Sequence, residues 1–379
     1  MRIKAIIVTI LLFVFSYGSA QVRFDFSPDF LTKPAAMFKA DTVTICIMGD
    51  MMMHKEQIDN AYRGAHGYDF TSYFKHLQNR IAGADLAIAN MEFTLGGGPF
   101  TGYPTFSAPD SFAVYLAACG FDIFLAANNH IFDKASKGAA RTIEKYRELV
   151  KTYGIRYCGL ACDQEDRDRT YPLIIHHKGI SIAIINFTYG TNLGADQHWP
   201  KVNYMNNKTD LKAALERADE CDFTLVLPHW GNEYELTHSL QQREMAQWLI
   251  ENGADMIIGT HPHVVQDSET INGVQVAYSL GNAVSNMSAA NTQVGLMAEV
   301  RLVRETNGDI TVLPIEFKWL WCSRPGGFDK SYTVLPVKEY LGSREKWIGP
   351  WEYDKMIKNY ERVNAIWQKK QSDLKQSIR

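Results

Sequence analysis

REMAQWLIENGADMIIGTHPH, residues 243–263, decides how this chain is read. A helical pattern leads through a short link into a brief apolar strand, DMIIG, and the strand ends in two histidines either side of a proline. The same unit occurs three more times. FTSYFKHLQNRIAGA runs into DLAIANME, SFAVYLAACG into FDIFLAANNH, and DLKAALERADEC into DFTLVLPHWGNE. The strand TVTICIMGD precedes them with no helix ahead of it, and SIAIINFTYG and VQVAYSLGN repeat the apolar run with a polar end.

Near-continuous apolar strands are buried on both faces, as in sheets covered by helices. Alternation of such strands with helices predicts an α/β fold. In these folds ligands gather beyond the carboxyl ends of the strands. Those ends carry Asp50, Glu92, Asn129 with His130, His229, and His261 with His263, while Asn186, Glu233 and Asn282 stand in similar places. Each has an ordinary reading by itself: an aspartate after glycine forms turns or caps helices, a glutamate is solvated, and a histidine is hydrogen-bonded in a core. Five strand tips of one sheet, all bearing oxygen or imidazole groups, point instead to a shared cation. Pro262 fixes one backbone φ between His261 and His263 and limits how far the two rings diverge.

Carboxylate, amide oxygen and imidazole without thiolate suit Mn²⁺, Zn²⁺ or Fe. Two such ions about 3.5–4 Å apart share a bridging carboxylate and clamp an oxyanion during in-line displacement. A histidine outside the metal shell protonates the leaving group or steadies the developing charge. Hydrolysis of a phosphate ester is the common reaction that fits this set.

Composition bounds the rest. The 379 residues are 46% hydrophobic and 21% charged, enough for one large domain or two modest ones. A net charge of −3 offers no basic surplus for nucleic acid, and 12% aromatic residues argue against disorder. MRIK, the apolar AIIVTILLFVFS and the small residues of YGSA predict a secretory signal over 1–20, cleaved near Ala20, so that the mature chain starts near Gln21. No cysteine follows that cut, which excludes a lipoprotein, and no second stretch is long and apolar enough for a membrane helix. The protein is therefore expected to be exported, periplasmic or extracellular, with no transmembrane segment once mature. Six scattered cysteines form no metal knuckle and no disulfide framework; burial is the expectation for most of them. Residues 21–41 read as an irregular lead-in, 42–318 as the main domain, and 319–379 as an extension whose WEYDKMIKNYERVNAIWQKKQSDLKQ is helical in pattern. FTYGTNLG (187–194) and the following QHWPKVNYMN are expected to loop over the mouth of the site.

The order GDMMMH (49–54), NMEFTLGG (90–97), AANNHIFD (126–133), LPHWGNEY (227–234), GADMIIGTHPHVVQ (253–266) and YSLGNAVSN (278–286) resembles the CapA family. That family is associated with poly-γ-glutamate capsule biosynthesis and is similar to the calcineurin-like metallophosphoesterases. The resemblance covers roughly residues 42 to 290. It implies a four-layer α/β/β/α sandwich, with two sheets face to face, helices outside and the site at one edge. It implies Asp50, Glu92, Asn129, His229, His261 and His263 as ligands of one or two divalent ions, with Glu92 bridging and His130 nearest the phosphate. Met52 stands where the superfamily has a histidine, His54 lies two residues further on, and Glu92 stands in place of an aspartate. These departures leave one metal position weak, differently built or empty.

Three functions follow. The first is an exported metal-dependent hydrolase acting on an envelope polymer or its phosphorylated precursor, with other capsule-assembly proteins as partners. The second is a non-catalytic component that binds an anionic polymer. The third is metal-dependent cleavage of a γ-linked glutamyl amide.

Overall fold

The computed structural model describes residues 42–194 and 198–377. The signal segment at 1–20 and the lead-in at 21–41 lie outside the described residues. The first half of the chain forms β1 (Thr42–Met51), α1 (Lys55–Ala61), α2 (Gln78–Gly83), β2 (Leu86–Met91), α3 (Asp110–Ala118), β3 (Ile123–Leu125), α4 (Ala135–Tyr153), β4 (Arg156–Cys158), β5 (Leu160–Ala161), α5 (Gln164–Thr170), β6 (Leu173–His177) and β7 (Ile180–Thr188). The second half adds β8 (Lys201–Val202), α6 (Lys208–Ala218), β9 (Phe223–His229), α7 (Leu240–Glu251), β10 (Met256–Ile258), β11 (Ser268–Ile271), β12 (Val274–Ala277) and β13 (Asn282–Val284). It ends with β14 (Val294–Arg304), β15 (Ile310–Val312), β16 (Glu316–Ser323), β17 (Thr333–Pro336), α8 (Val337–Tyr340) and α9 (Pro350–Ser377).

Among the described residues the larger sheet has the order β17-β16-β14-β1-β2-β3-β4, with β13 beside β1 and β15 beside β14. Its β1 to β4 are parallel, and β14, β16 and β17 continue it antiparallel. The second sheet, β11-β12-β10-β9-β7-β6, is parallel in the middle and closed at each edge by an antiparallel hairpin.

Period-two alternation explains the layers. In β1, Val43, Ile45 and Ile47 join Ile182, Ile184, Leu225, Leu227 and Ile258 of the second sheet in a core between the sheets. Cys46 and Met48 face the other way, into a core with Phe74, Phe112, Leu116, Ile143 and Tyr146 from the α2–α4 side. On the far side, Ala183, Ile185, Val226 and Ile257 meet Leu211 and Leu215 of α6 and Met245 and Leu249 of α7. Every central strand is therefore apolar on both faces, and the molecule is the expected four-layer α/β/β/α sandwich.

Two expectations need correcting. The strand tips carrying candidate ligands belong to two sheets rather than one: β1–β3 to the larger, β9 and β10 to the smaller. The helical pattern over 70–84 gives a helix only at Gln78–Gly83. Asp69 Oδ1 accepts from both the amide and the hydroxyl of Thr71, and the Tyr115 hydroxyl takes the Phe74 amide at 2.9 Å, which offers this backbone partners outside a helix. Residues 319–323 fall inside β16 and 333–336 form β17, so the first part of the expected extension is built into the larger sheet; its helical pattern is α9.

The chain passes from the second sheet to the first between β12 and β13, where the Asp50 amide donates to Gly281 O at 3.1 Å. This crossing leaves no room for a side chain at position 49: a Cβ on Gly49 would stand 1.9 Å from Gly281 O. The close approach brings the carboxyl ends of both sheets to one edge.

Candidate metal centre

Asp50 is the penultimate residue of β1, Glu92 follows β2, Asn129 follows β3, His229 ends β9, and His261 follows β10. All of them, with His263 and His130, are buried at the shared edge. Asp50, Glu92 and His229 place one ligand atom each within 4.8 Å of one another, and so do Glu92, His261 and His263. The two groups share Glu92. Asn129 Oδ1 joins the first, 2.9 Å from His229 Nε2.

The surroundings fix which atoms face inward. Asn282 Nδ2 donates to Thr292 O at 3.0 Å, which turns its Oδ1 toward His263 Nδ1, also at 3.0 Å. His263 therefore donates from Nδ1 and leaves the Nε2 lone pair toward Glu92 Oε1, 3.7 Å away. His229 Nδ1 lies 3.0 Å from Thr260 Oγ1, and its Nε2 lies 3.6 Å from Glu92 Oε1. Asn90 Nδ2 donates to Asp50 Oδ1 at 2.8 Å, orienting that carboxylate. Asn90, Thr260 and the role of Asn282 are not singled out by sequence, because an amide or hydroxyl gains meaning here only from the ring or carboxylate it touches.

Both oxygens of Glu92 and Nδ1 of His261 are buried without a hydrogen-bond partner. A fully buried carboxylate with no donor is costly in a protein interior. Burial pushes the Glu92 carboxyl well above its usual range, and the Asp50 charge pushes it further. Burial also pushes His229 and His261 well below the usual imidazole value, helped by neighbouring histidines. A cation reverses both penalties, since it stabilises carboxylate and neutral imidazole together. The orphaned atoms and the oxygen–imidazole donor set thus fit divalent metal.

The His-Pro-His turn adds backbone strain. His261 has φ +100° and His263 φ +59°, left-handed values that histidine rarely adopts. The constraint lies on the histidines themselves more than on the proline between them. The His261 amide faces Asp50, 3.3 Å from Oδ2. Strain of this kind persists where surrounding structure over-determines it, which is common at functional sites.

His130 stands beside this cluster, its Nδ1 2.7 Å from Asp133 Oδ2. Asp133 Oδ2 also accepts the Phe106 amide at 2.7 Å, and the Phe106 ring packs edge-on against His130 at 4.6 Å. Asp133 was legible in sequence only as the aspartate three residues after His130. His54 caps the start of α1, and its Nδ1 accepts the Asn286 amide at 3.3 Å; burial pushes its imidazole down to about 4. Of the expected loop, Tyr189 lays its ring 4.5 Å from that of His261, and Asn192 Nδ2 reaches within 3.3 Å of His130 Nδ1. Residues 195–197 lie outside the described residues, and Lys201 and Val202 pair with β5. Asn186 is structural: its amide bridges the Ala127 amide and Leu227 O. A cavity of about 950 Å³ opens from the cluster, lined by Met52, His54, His130, Glu233, His263 and Arg324 among others.

The model of the bacterial capsule synthesis protein family PGA_cap matches residues 44–287. The chain belongs to that family. Its PGA_cap relatives include the capsule biosynthesis protein CapA of Bacillus anthracis, 26% identical over 292 residues, with 73% of this chain and 68% of the relative covered. The PGA biosynthesis protein CapA of Bacillus subtilis strain 168 is 25% identical over 324 residues, covering 82% and 78%. Among solved structures, a candidate 5′-nucleotidase of Staphylococcus aureus has TM-score 0.44 at 15% identity over 73% of this chain, which spans 54% of that protein. The 5′-nucleotidase of Candida albicans has TM-score 0.42 at 12% identity over 76% of this chain, which spans 53% of its length. No described helix of this PGA_cap protein is long and apolar enough to cross a membrane.

Proposed function

We propose that this PGA_cap protein is an exported, divalent-metal-dependent hydrolase of the phosphoesterase type, acting on a capsule or other envelope polymer or on its phosphorylated precursor. The observation that carries this reading is Glu92, a buried carboxylate with both oxygens unpartnered, shared by two groups of ligand atoms. Asp50, Glu92, Asn129, His229, His261 and His263 would hold one or two ions of Mn, Zn or Fe. Such ions supply charge neutralisation on phosphoryl oxygens and make water a nucleophile near neutral pH. The apolar run AIIVTILLFVFS at residues 5–16 supports export.

The chain's own residues do the rest. Asp133 holds His130 by Nδ1, which leaves Nε2, 3.4 Å from Asn192 Nδ2, as the atom that would carry the proton given to a leaving oxygen. Phe106, packed against the ring, and the strained His-Pro-His turn keep these groups from drifting.

The test is metal analysis of chain 21–379, purified without chelator, followed by assays of an aryl phosphodiester and a γ-glutamyl anilide. Metal in the protein and phosphodiester turnover abolished by chelation are the expected results. His130→Ala should then lower kcat about 10²–10⁴-fold with metal content unchanged. Turnover of the anilide alone would replace the phosphoester assignment with γ-glutamyl amide cleavage. Polymer binding without metal or turnover would replace the enzyme with a binding component.

A further inference from the structure

The metal site of the proposed function is one ligand short of the superfamily pattern, because position 52 is a methionine buried in the wall of the cavity. We propose that Glu233 supplies the missing ligand, entering the shell beside His263 from the loop after β9.

The position of Glu233 is fixed by the backbone. Gly231 turns the chain with φ +92°, and Tyr234, itself at φ +67°, donates its amide to Pro262 O at 2.8 Å. Trp230 donates to Thr260 O at 3.0 Å. The loop carrying Glu233 is thus bolted at both ends to the loop carrying His261 and His263. Glu233 Oε1 lies 4.0 Å from His263 Nε2, the same nitrogen that faces Glu92 Oε1 at 3.7 Å. Atoms bound at about 2.0–2.2 Å to one ion sit roughly 3 to 4 Å apart, so both carboxylates are at ligand spacing from that nitrogen. Glu233 is 41% exposed at its side chain and lines the cavity, so rotation about its side-chain bonds can bring the carboxylate toward an ion without unpacking a core.

Charge favours the same role. A free carboxylate at this spot repels any anionic substrate entering the cavity, whereas one bound to a cation has its charge neutralised. The arrangement also accounts for the neighbouring orphan. Glu92 is buried without donors, and an ion held between Glu92, His263 and Glu233 satisfies it.

This inference rests on the metal reading above, and the experiment separates the two. Mn²⁺ binding is measured by calorimetry and elemental analysis on the metal-stripped chain 21–379, its Glu233→Ala and Glu233→Gln variants, and Glu233→Ala combined with Met52→His. Both single variants should lose one Mn²⁺ per chain or weaken one site at least about tenfold. Met52→His should restore it by supplying an imidazole from the wall of the same cavity. Circular dichroism and melting of the stripped proteins should match wild type, because a half-exposed side chain contributes little to folding. Unchanged Mn²⁺ stoichiometry and affinity in both single variants would overturn the role of Glu233 and leave the site standing. Absence of Mn²⁺ binding in wild type would overturn the site and this inference together.

Discussion

At Glu92 the cost to the fold and the fit to a cation fall on the same side chain. Its carboxylate has left water without gaining a donor, and burial with the Asp50 charge disfavours its ionisation. Glu92→Gln keeps the shape and removes the charge. In chelator, urea unfolding should show this variant more stable than wild type by about 1–3 kcal/mol. The rise in melting temperature that saturating Mn²⁺ gives wild type should vanish in it, since ligand stabilisation requires binding to the native state. A variant less stable in chelator than wild type would mean that Glu92 has an internal partner. The seven candidate residues were legible because strand ends are where apolar runs stop. Asp133, Asn90 and Thr260 were not, because their meaning comes from partners 3 to 139 residues away.

At the scale of elements, the two sheets are held in register by polar links as well as by their shared core. Asp85, just before β2, accepts from the β1 amide of Thr44 at 2.9 Å, from Lys178 Nζ at 2.9 Å and from His177 Nε2 at 3.1 Å. His177 ends β6 of the other sheet, and Lys178 lies in the turn from β6 to β7. Burial by itself would raise the Asp85 carboxyl, but these three partners outweigh it and hold the pKa below the ordinary 3.8. A carboxylate with a depressed folded-state pKa stabilises above its unfolded value and loses that contribution as pH falls through the folded value. Asp85→Asn should therefore cost about 1–2 kcal/mol at pH 7. The gap to wild type should start to close below the unfolded value of 3.8 and disappear once the folded value is passed. Chemical denaturation at several pH values checks this, and a gap independent of pH would refute it.

For the molecule as a whole, the question is where the domain stops. Trp319, the first residue of the expected extension, lies in the core between the sheets, with Trp321, Leu335, Met356 and Val363. Its ring meets Tyr360 at 5.5 Å and Trp367 at 6.1 Å, so α9 packs against the larger sheet through aromatic contacts. Trp319→Ala should cost about 3–5 kcal/mol in urea unfolding, with Mn²⁺ stoichiometry kept because no candidate ligand touches it. A loss below about 1 kcal/mol would place α9 outside the cooperative fold.

Local sequence determined most of the elements and the types of donor group at their ends. Strands apolar on both faces had to lie between helices, and polar groups at their ends had to collect at a carboxyl edge, since side-chain period and burial are properties of short stretches. Only tertiary structure decided that the edge is shared by two sheets, that Glu92 lies between two groups of candidate ligands with no donor of its own, and that Glu233 is bolted to the His-Pro-His turn. Those facts depend on the crossing from β12 to β13 and on hydrogen bonds between residues far apart in the chain, and no local pattern encodes a distance between segments that meet only after the chain has folded.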